Sequence, residues 1–177
     1  VLEMPKEWFT LNGYLKIGDN GLITLMSPNP EIGQNVKTSM PMLVAEEMDA
    51  DWSKVRGLLA PAGEAYKDPN FGMQMTGGSS ATPNSWQQYR ELGARTKAML
   101  LAAASKQLGV PPAQFTVVNG VVSGGGKSAT YGQLFDAAMK EPIPERVVLK
   151  DAKDFKLIGK PTGLKVSRVK STGTQQY

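Results

Sequence analysis

The sequence predicts a mixed α+β domain, in which a β-β-α-β unit is followed by a long helix and a second hairpin. The first hairpin is indicated by the turn Asp19-Asn20-Gly21, because Asn and Gly tolerate the positive φ angles of a tight turn. Strand-like segments flank this turn at Tyr14–Ile17 and Leu22–Met26. Asn119-Gly120 indicates the second hairpin, and an apolar stripe at helical spacing predicts the long helix before it.

The chain is expected to open with an arm, residues 1–11, that Trp8 and Phe9 anchor. After the first hairpin, Pro28 and Pro30 end the return strand, because proline cannot donate a hydrogen bond to a neighbouring strand. The chain must therefore leave the sheet at this point.

A helix is predicted from about Thr38 to Asp49, where most residues are good helix formers. Thr38 or Ser39 could cap its start, which would place Pro41 in the first turn, where proline is tolerated. Lys54–Leu59 is then expected to form the third strand, which completes the β-β-α-β unit.

A loop over residues 60–80 separates the third strand from the long helix. Loops of about twenty residues are uncommon in compact domains and are often functional. Thr82 or Ser85 is predicted to cap the helix, which ends at Gly109–Pro112. Gly93 within its stripe predicts close packing against another element. The stripe consists of Trp86, Tyr89, Gly93, Thr96, Leu100, Ala103 and Leu108.

The last predicted elements are a hairpin and a short helix. Phe115–Val118 and Val121–Val122 would pair as strands, and Tyr131–Lys140 would form the helix. From residue 145 onward the periodicity fades. The sequence therefore predicts a domain over residues 12–144 and a basic linker over residues 145–177.

The composition excludes several kinds of chemistry. The 177 residues include no Cys and no His, which excludes thiol catalysis, a Cys or His zinc site and a histidine general base within this chain. An apolar fraction of 41% suffices for one core. The apolar runs are too short to predict a membrane span.

Charge is distributed unevenly along the chain. Residues 1–140 contain twelve Lys or Arg and twelve Asp or Glu, whereas residues 141–177 contain eight and four. The net charge of +4 therefore belongs to the carboxyl-terminal segment. The body is not expected to bind nucleic acid, and the basic extension is expected to wrap a partner.

Two glycine-bearing stretches, Ser27–Thr38 and Thr76–Ser85, each lead into a predicted helix. Brought together, they would form a cradle of backbone N–H groups at two helix starts, which suits a phosphate-bearing ligand. Two ordinary connectors would give the same spacing, so the pattern alone leaves both interpretations open.

The stretch Gly120–Ser128 resembles a phosphate-binding loop only superficially. The Walker pattern has four residues between its first Gly and the Gly-Lys pair, whereas five separate Gly120 from Gly126. The stretch also follows a hairpin turn rather than a buried parallel strand. We therefore interpret it as a flexible surface loop and not as a nucleotide-hydrolase motif.

Four separated motifs, in order, resemble the molybdenum-cofactor-binding subunit of the xanthine oxidase family, in the branch of isoquinoline 1-oxidoreductase beta subunits and periplasmic aldehyde dehydrogenases. The resemblance covers roughly residues 12–161 and implies a two-layer mixed sheet with packed helices. The motifs are Glu31–Thr38, Pro41–Glu47 continuing to Asp51–Val55, Gly77–Ser80 and Leu157–Pro161.

The resemblance implies which residues contact the cofactor. Gly33 and Gln34 match the family's first turn, and Gly77, Gly78 and Ser79 match the second, with Ser80 adjacent. In both turns glycine would permit close approach of the backbone to the ligand. The family has Gly where this chain has Asn35, a residue that tolerates left-handed geometry but whose side chain could crowd the pterin.

The resemblance also implies the chemistry and the partners. The family oxidises aldehydes or N-heterocycles with water as the oxygen source, using a molybdopterin cytosine dinucleotide with molybdenum. Electrons pass to [2Fe-2S] clusters on a partner subunit, and a cytochrome c is a further candidate acceptor. A periplasmic location is implied, with a cytoplasmic one open.

No catalytic or metal-ligating residue is assigned in this chain, because the family's catalytic Glu belongs to a Gly-x-Gly-Glu motif that the sequence lacks. Glu31, Glu46 and Glu47 are instead interpreted as cap or solvated helix residues. The chain is thus expected to be a piece of a larger catalytic subunit, whose remaining part and following domain lie elsewhere. A non-catalytic interaction module that kept the fold and lost the cofactor is the alternative.

Overall fold

A computed structural model describes residues 3–10, 12–68 and 70–175, and the side chain of Phe9 lies outside the description. Its larger sheet has the strand order β1-β2-β3-β4, with the first three strands antiparallel and β4 parallel to β3. The predicted β-β-α-β unit and the mixed sheet are therefore confirmed. The strands are β1 (Trp8–Thr10), β2 (Leu15–Gly18), β3 (Ile23–Ser27) and β4 (Val55–Leu59).

The predicted amino-terminal arm contains an edge strand. Trp8 pairs with Gly18 across the ladder between β1 and β2, and the guanidinium carbon of Arg56 lies 5.4 Å from the centre of the Trp8 ring. Trp8 thus anchors this segment as predicted, although the segment joins the sheet instead of remaining an arm. The predicted role of Phe9 falls on a side chain outside the described part.

Four helices are present in the described ranges: α1 (Val36–Met48), α2 (Ala81–Leu108), α3 (Tyr131–Ala138) and α4 (Ser167–Ser171). The predicted caps of α1, Thr38 and Ser39, are wrong, because the helix begins earlier, after Asn35 in a left-handed conformation. Pro41 consequently lies inside the helix and not in its first turn. The predicted caps of α2, Thr82 and Ser85, are also wrong, because Ser80 precedes its first residue.

Helices α1 and α2 pack closely at Gly93, as the sequence predicts. A Cβ atom at this position would lie 2.6 Å from the carbonyl oxygen of Val44 and 3.0 Å from Cβ of Glu47. Only glycine allows the two backbones to approach this closely. Helix α1 also contacts β3 and β4, so its residues are buried on nearly every side.

A second, three-stranded antiparallel sheet follows α2 and comprises β5 (Thr116–Val118), β6 (Val121–Gly124) and β7 (Lys127–Thr130). The glycine-rich stretch interpreted as a flexible loop is thus largely strand β6, a tight turn and strand β7. A capping box joins Thr130 and Gln133 at the start of α3. The hydroxyl of Tyr131 donates to the carbonyl of Met48 at 2.5 Å and ties this layer to the end of α1.

The segment predicted to run off the domain instead lies on it. We call residues 145–175 the strap. Lys150 and Lys156 contact the carboxyl-terminal end of α1, the backbone N–H of Lys165 donates to Thr38 near the other end, and Lys170 reaches Glu31 before the helix begins. The strap therefore runs along α1 from its end to its start, and the prediction of a free linker is wrong.

Candidate functional site

The first turn, residues 30–35, is held by a carboxylate of its own. Oε1 of Glu31 accepts hydrogen bonds from the backbone N–H groups of Gly33 at 3.1 Å and Asn35 at 3.0 Å. Oε2 accepts from Lys37 at 3.1 Å. These are N–H groups at the start of α1, where a helix attracts an anion. Glu31 is thus the cap that the sequence predicts, and it occupies the place foreseen for a ligand phosphate.

A lysine from the strap neutralises this carboxylate. Nζ of Lys170 lies 2.9 Å from Oε1 of Glu31, whose side chain is 1% exposed. Burial by itself raises the pKa of the Glu31 carboxyl, but the hydrogen bonds from Lys170 and from the backbone of Lys37, Asn35 and Gly33 outweigh burial and hold that pKa below its usual value. Glu31 is therefore ionised at neutral pH.

Gln34 uses half of its amide within the first turn. Its Oε1 accepts from the N–H of Ile32 at 2.7 Å, and its Nε2 donates to the carbonyl of Pro30 at 2.8 Å. A glutamine amide has two lone pairs and two N–H groups, so one of each is left over on this exposed side chain. The turn thereby orients the amide and leaves it able to bind a further polar group.

Asn35 adopts the left-handed conformation that glycine would adopt, with φ of 69°. The expectation that Asn tolerates this turn is confirmed. Its Oδ1 accepts from Nζ of Lys170 at 2.9 Å. The side chain is therefore engaged by the strap.

The second turn, Gly77–Ser80, leaves its backbone donors open. Gly78 and Ser79 have φ angles of 62° and 56°, and no hydrogen bond between described residues uses their N–H groups. The N–H groups of Ala81 and Thr82 follow in the first turn of α2, where no intrahelical acceptor exists. The hydroxyl of Ser80 donates to the carbonyl of Gly77 at 2.8 Å and closes the turn.

Two hydrogen bonds join the turns side by side. Nδ2 of Asn29 donates to the carbonyl of Met75 at 2.9 Å, and the hydroxyl of Thr76 donates to the carbonyl of Pro30 at 2.8 Å. Asn29 is 5% exposed, and its Oδ1 has no partner among the described residues. The sequence prediction that these distant stretches approach one another thus agrees with the contacts, and a buried acceptor lies beside their junction.

Glu46 and Glu47 are not solvated, contrary to the prediction, because they bind the strap. The carboxylate of Glu46 accepts from the backbone N–H groups of Lys156, Leu157 and Ile158 at 2.7–3.1 Å. Glu47 pairs with Arg90 at 2.7 Å and accepts from the N–H of Lys150 at 3.0 Å. The two acids of the Pro41–Glu47 motif therefore fix the Leu157–Pro161 motif in place.

Asp49 completes this cluster at the end of α1. Burial opposes its ionisation, but the ammonium groups of Lys156, Lys97 and Lys150, at 2.5–2.9 Å, lower its pKa to about 2. The acids are thus all paired, which makes the cluster a structural clamp and not a proton-transfer site. Within the described ranges, no group of three or more acidic side chains is arranged to hold a metal ion.

The comparison with known families identifies the class of this chain. A profile of the molybdopterin cofactor-binding domain matches residues 6–175. The chain therefore belongs to this family, and the resemblance to the molybdenum-binding subunit of the xanthine oxidase family is confirmed. The match includes the strap, consistent with its contacts along α1.

Three relatives are named oxidoreductases. Identity is 33% over 153 residues to a membrane-bound aldehyde dehydrogenase (pyrroloquinoline-quinone) of Gluconacetobacter polyoxogenes, which covers 82% of this chain and 19% of the relative. It is 35% over 127 residues to the beta subunit of isoquinoline 1-oxidoreductase of Brevundimonas diminuta, covering 70% and 16%. It is 25% over 169 residues to one subunit of the nicotinate dehydrogenase of Pseudomonas putida, covering 93% and 14%. The chain thus spans less than a fifth of each relative.

The residues of the second turn fit a phosphate-bearing cofactor, and those of the first turn fit it in part. Open N–H groups at Gly78 and Ser79 can bind an anion, and no atom lies within 4 Å of a Cβ built at Gly78. The N–H groups of the first turn are already bound by Glu31, so that turn has only the Gln34 amide to offer. Among the described helices, none combines the length and apolarity needed to cross a bilayer.

Sequence reasoning missed three features of this region: Asn29, the ligand role of Glu31 toward the backbone, and Lys170. A carboxylate two residues before a glycine at a helix start is a local signal for Glu31. Lys170 has no such signal, because it lies 139 residues from its partner.

Proposed function

We propose that this chain forms one wall of the molybdopterin site in a molybdenum-dependent oxidoreductase. Gly77, Gly78, Ser79 and Ser80 would bind the phosphate of the cofactor at the start of α2, and the Gly33–Gln34 turn would contact its pterin. The observation that supports this proposal best is the junction of the two turns, with open backbone donors on one side and an oriented amide on the other.

The proposed phosphate contacts follow from the geometry of the second turn. Successive N–H groups at positive φ form a concave donor surface, and the long helix behind them adds the positive end of its dipole. The exposed hydroxyl of Ser79 can add a further donor. The buried Oδ1 of Asn29 can accept a hydrogen bond from an amino or hydroxyl group bound at the junction.

When bound, the cofactor would supply the two-electron oxidation of an aldehyde or N-heterocycle carbon with water as the oxygen source. The names of the relatives refer to aldehyde, isoquinoline and nicotinate, which fall in these two substrate classes. The cofactor is proposed to be the cytosine dinucleotide. Electrons would leave through [2Fe-2S] clusters on another subunit, and no residue of this chain is assigned to proton transfer.

The partners proposed are the remaining part of the molybdenum-binding subunit with its following domain, the [2Fe-2S] subunit and a cytochrome c acceptor. Two relatives are named as single subunits of their enzymes, which supports a multi-subunit assembly. A periplasmic site of action is part of the proposal. The alternative of a module without cofactor relied on crowding by Asn35, whose side chain is held by Lys170.

A matched pair of glycine variants tests the proposal. Gly78 and Gly126 both have positive φ, and a Cβ built at either lies farther than 4 Å from other atoms. Gly78→Ala and Gly126→Ala therefore impose similar strain, about 1 kcal/mol each, but only Gly78 belongs to the second turn. Molybdenum and pterin content should be measured in the complex purified from its native source. We expect occupancy to fall for Gly78→Ala alone, and equal occupancy in both variants would contradict the proposal.

Catalytic self-sufficiency is a second test. The 177-residue chain purified alone should not oxidise aldehydes or N-heterocycles, because it contributes neither a general base nor an iron–sulfur cluster. Activity should appear when the rest of the subunit and the electron-accepting partner are added. Turnover by the chain alone, measured with a dye acceptor, would overturn this division of roles.

A further inference from the structure

The strap delivers a charged group to the first turn along a defined route. The N–H of Lys165 donates to Thr38 Oγ1 at 2.9 Å, and Nζ of Lys165 donates to the carbonyl of Trp52 and lies 4.0 Å from the centre of its ring. Further along the strap, Nζ of Lys170 lies 2.9 Å from both Glu31 Oε1 and Asn35 Oδ1. The strap thus ends its course along α1 on two residues of the first turn.

The carboxylate of Glu31 shapes this turn from within. It binds the N–H groups of Gly33 and Asn35 and so encloses Gln34, whose amide closes the same turn. An external anion could satisfy those N–H groups only while it was bound. A built-in carboxylate satisfies them permanently, so the turn keeps one shape with or without a ligand.

Lys170 compensates the electrostatic cost of this arrangement. A buried carboxylate without a counter-charge is strongly destabilised, and no other charged side chain pairs with Glu31 among the described residues. The second contact of Lys170, to Asn35, fixes the residue at the left-handed position that starts α1. One ammonium group therefore contacts Glu31 and Asn35, which lie on either side of the Gly33–Gln34 pair.

We propose that Glu31 and Lys170 are positioning residues that hold the Gly33–Gln34 turn in the shape that receives the cofactor. This inference rests on the proposed function. It assigns to the strap a role that the sequence alone did not suggest, because the seating of the strap determines the geometry of a turn that begins the domain's first helix.

The first experiment uses the chain without cofactor and measures amide hydrogen exchange at Gly33, Asn35 and Lys37. Lys170→Met removes the ammonium group, Lys170→Arg retains a charge there, and Arg168→Met removes an exposed charge from the same short helix. We expect exchange to quicken about tenfold in Lys170→Met, to recover in Lys170→Arg and to stay unchanged in Arg168→Met. Unchanged exchange in Lys170→Met would overturn the proposal.

An acid titration of the amide proton shifts gives a readout that general loosening would not produce. The shifts of Gly33, Asn35 and Lys37 should move together with one midpoint, because all three N–H groups bind the same carboxylate. The midpoint should rise in Lys170→Met and vanish in Glu31→Gln. Three unrelated midpoints would contradict the assignment, and the Lys170 variants carry the test even if Glu31→Gln does not fold.

The link to the cofactor is tested separately in the native complex. Lys170→Met should lower molybdenum occupancy, and Lys170→Arg should restore it. Faster exchange combined with full occupancy would overturn the positioning role while leaving the Gly78 result, and with it the proposed function, intact. Failure of the proposed function would instead appear as full occupancy in Gly78→Ala.

Discussion

Two helices of this domain begin at glycine-bearing turns, and the backbone donors at the two starts have different partners. Before α1, Glu31 accepts from three N–H groups and Lys170 neutralises it. Before α2, the N–H groups of Gly78 and Ser79 have no acceptor among the described residues. The closed turn has a shape set by the protein, whereas the open turn has donors to offer. A helix start therefore indicates an anion site only when the chain leaves its donors unused.

The largest expected effect comes from releasing the strap that closes the first turn. Glu46→Ala removes a carboxylate that is fully buried and leaves three backbone N–H groups and Lys150 without their acceptor. We expect a loss of about 3–5 kcal/mol in the free energy of unfolding, measured by urea denaturation. Glu91→Ala, which breaks a half-exposed pair with Arg95, should cost well under that. Similar losses in both variants would contradict the clamp.

The relation between the two turns depends on the contact between α1 and α2. Gly93→Ala should destabilise the domain by about 1–3 kcal/mol, because the added Cβ would lie 2.6 Å from the carbonyl oxygen of Val44. The sign is diagnostic, since the same change at an exposed helix position stabilises. Thermal unfolding that improves in this variant would show that the helices do not pack as described.

Acid should weaken the clamp before it affects the open turn. The folded-state pKa of Asp49, about 2, lies below its unfolded value. Its contribution to stability, at most about 2 kcal/mol, is therefore present above pH about 4 and is lost as the pH falls toward about 2. Urea denaturation across this range should show a smaller decline in Asp49→Asn, which lacks the titrating carboxyl. An equal decline in both proteins would rule out Asp49 as the cause.

The smallest expected effect compares the non-glycine residues at positive φ in the two turns. Ser79→Gly should stabilise by about 0.5 kcal/mol, because it relieves left-handed strain at a side chain that makes no hydrogen bond to another described residue. Asn35→Gly relieves the same strain but loses the bond to Lys170, so it should be neutral or destabilising. Calorimetric melting of both variants checks this. Equal stabilisation would mean that the Lys170 contact contributes nothing.

Local signals suffice to predict most of the architecture. The Asn-Gly turns, the prolines and the apolar stripe of α2 each act through neighbouring residues, and the corresponding elements are present. Strand β7 escapes prediction because the glycines at 124–126 suggest a loop, although Ser128, Ala129 and Thr130 carry a strand-like alternation. The left-handed Asn35 moves the start of α1 away from the predicted caps, since a backbone conformation replaces a side-chain cap.

The candidate site is predictable only in its glycine-bearing turns. That Ser27–Thr38 and Thr76–Ser85 meet follows from a ligand argument, whereas the bonds that join them involve Asn29 and Thr76, which no motif singles out. The strap escapes prediction because its structure comes from ion pairs and backbone contacts with α1, which have no period along the chain. A charge excess over residues 141–177 points outward to a partner, and the acids it matches lie within the domain.

The pairing of the strap with α1 also has a consequence for the order in which the domain can form during synthesis. Glu46 precedes Lys150 by 104 residues, and Glu31 precedes Lys170 by 139. The acids of α1 therefore emerge from the ribosome long before the lysines that neutralise them, and the body of the domain must wait with unmatched carboxylates. Closure around α1 becomes favourable only as the strap appears, so a nascent chain halted near residue 145 should remain open and accessible to chaperones.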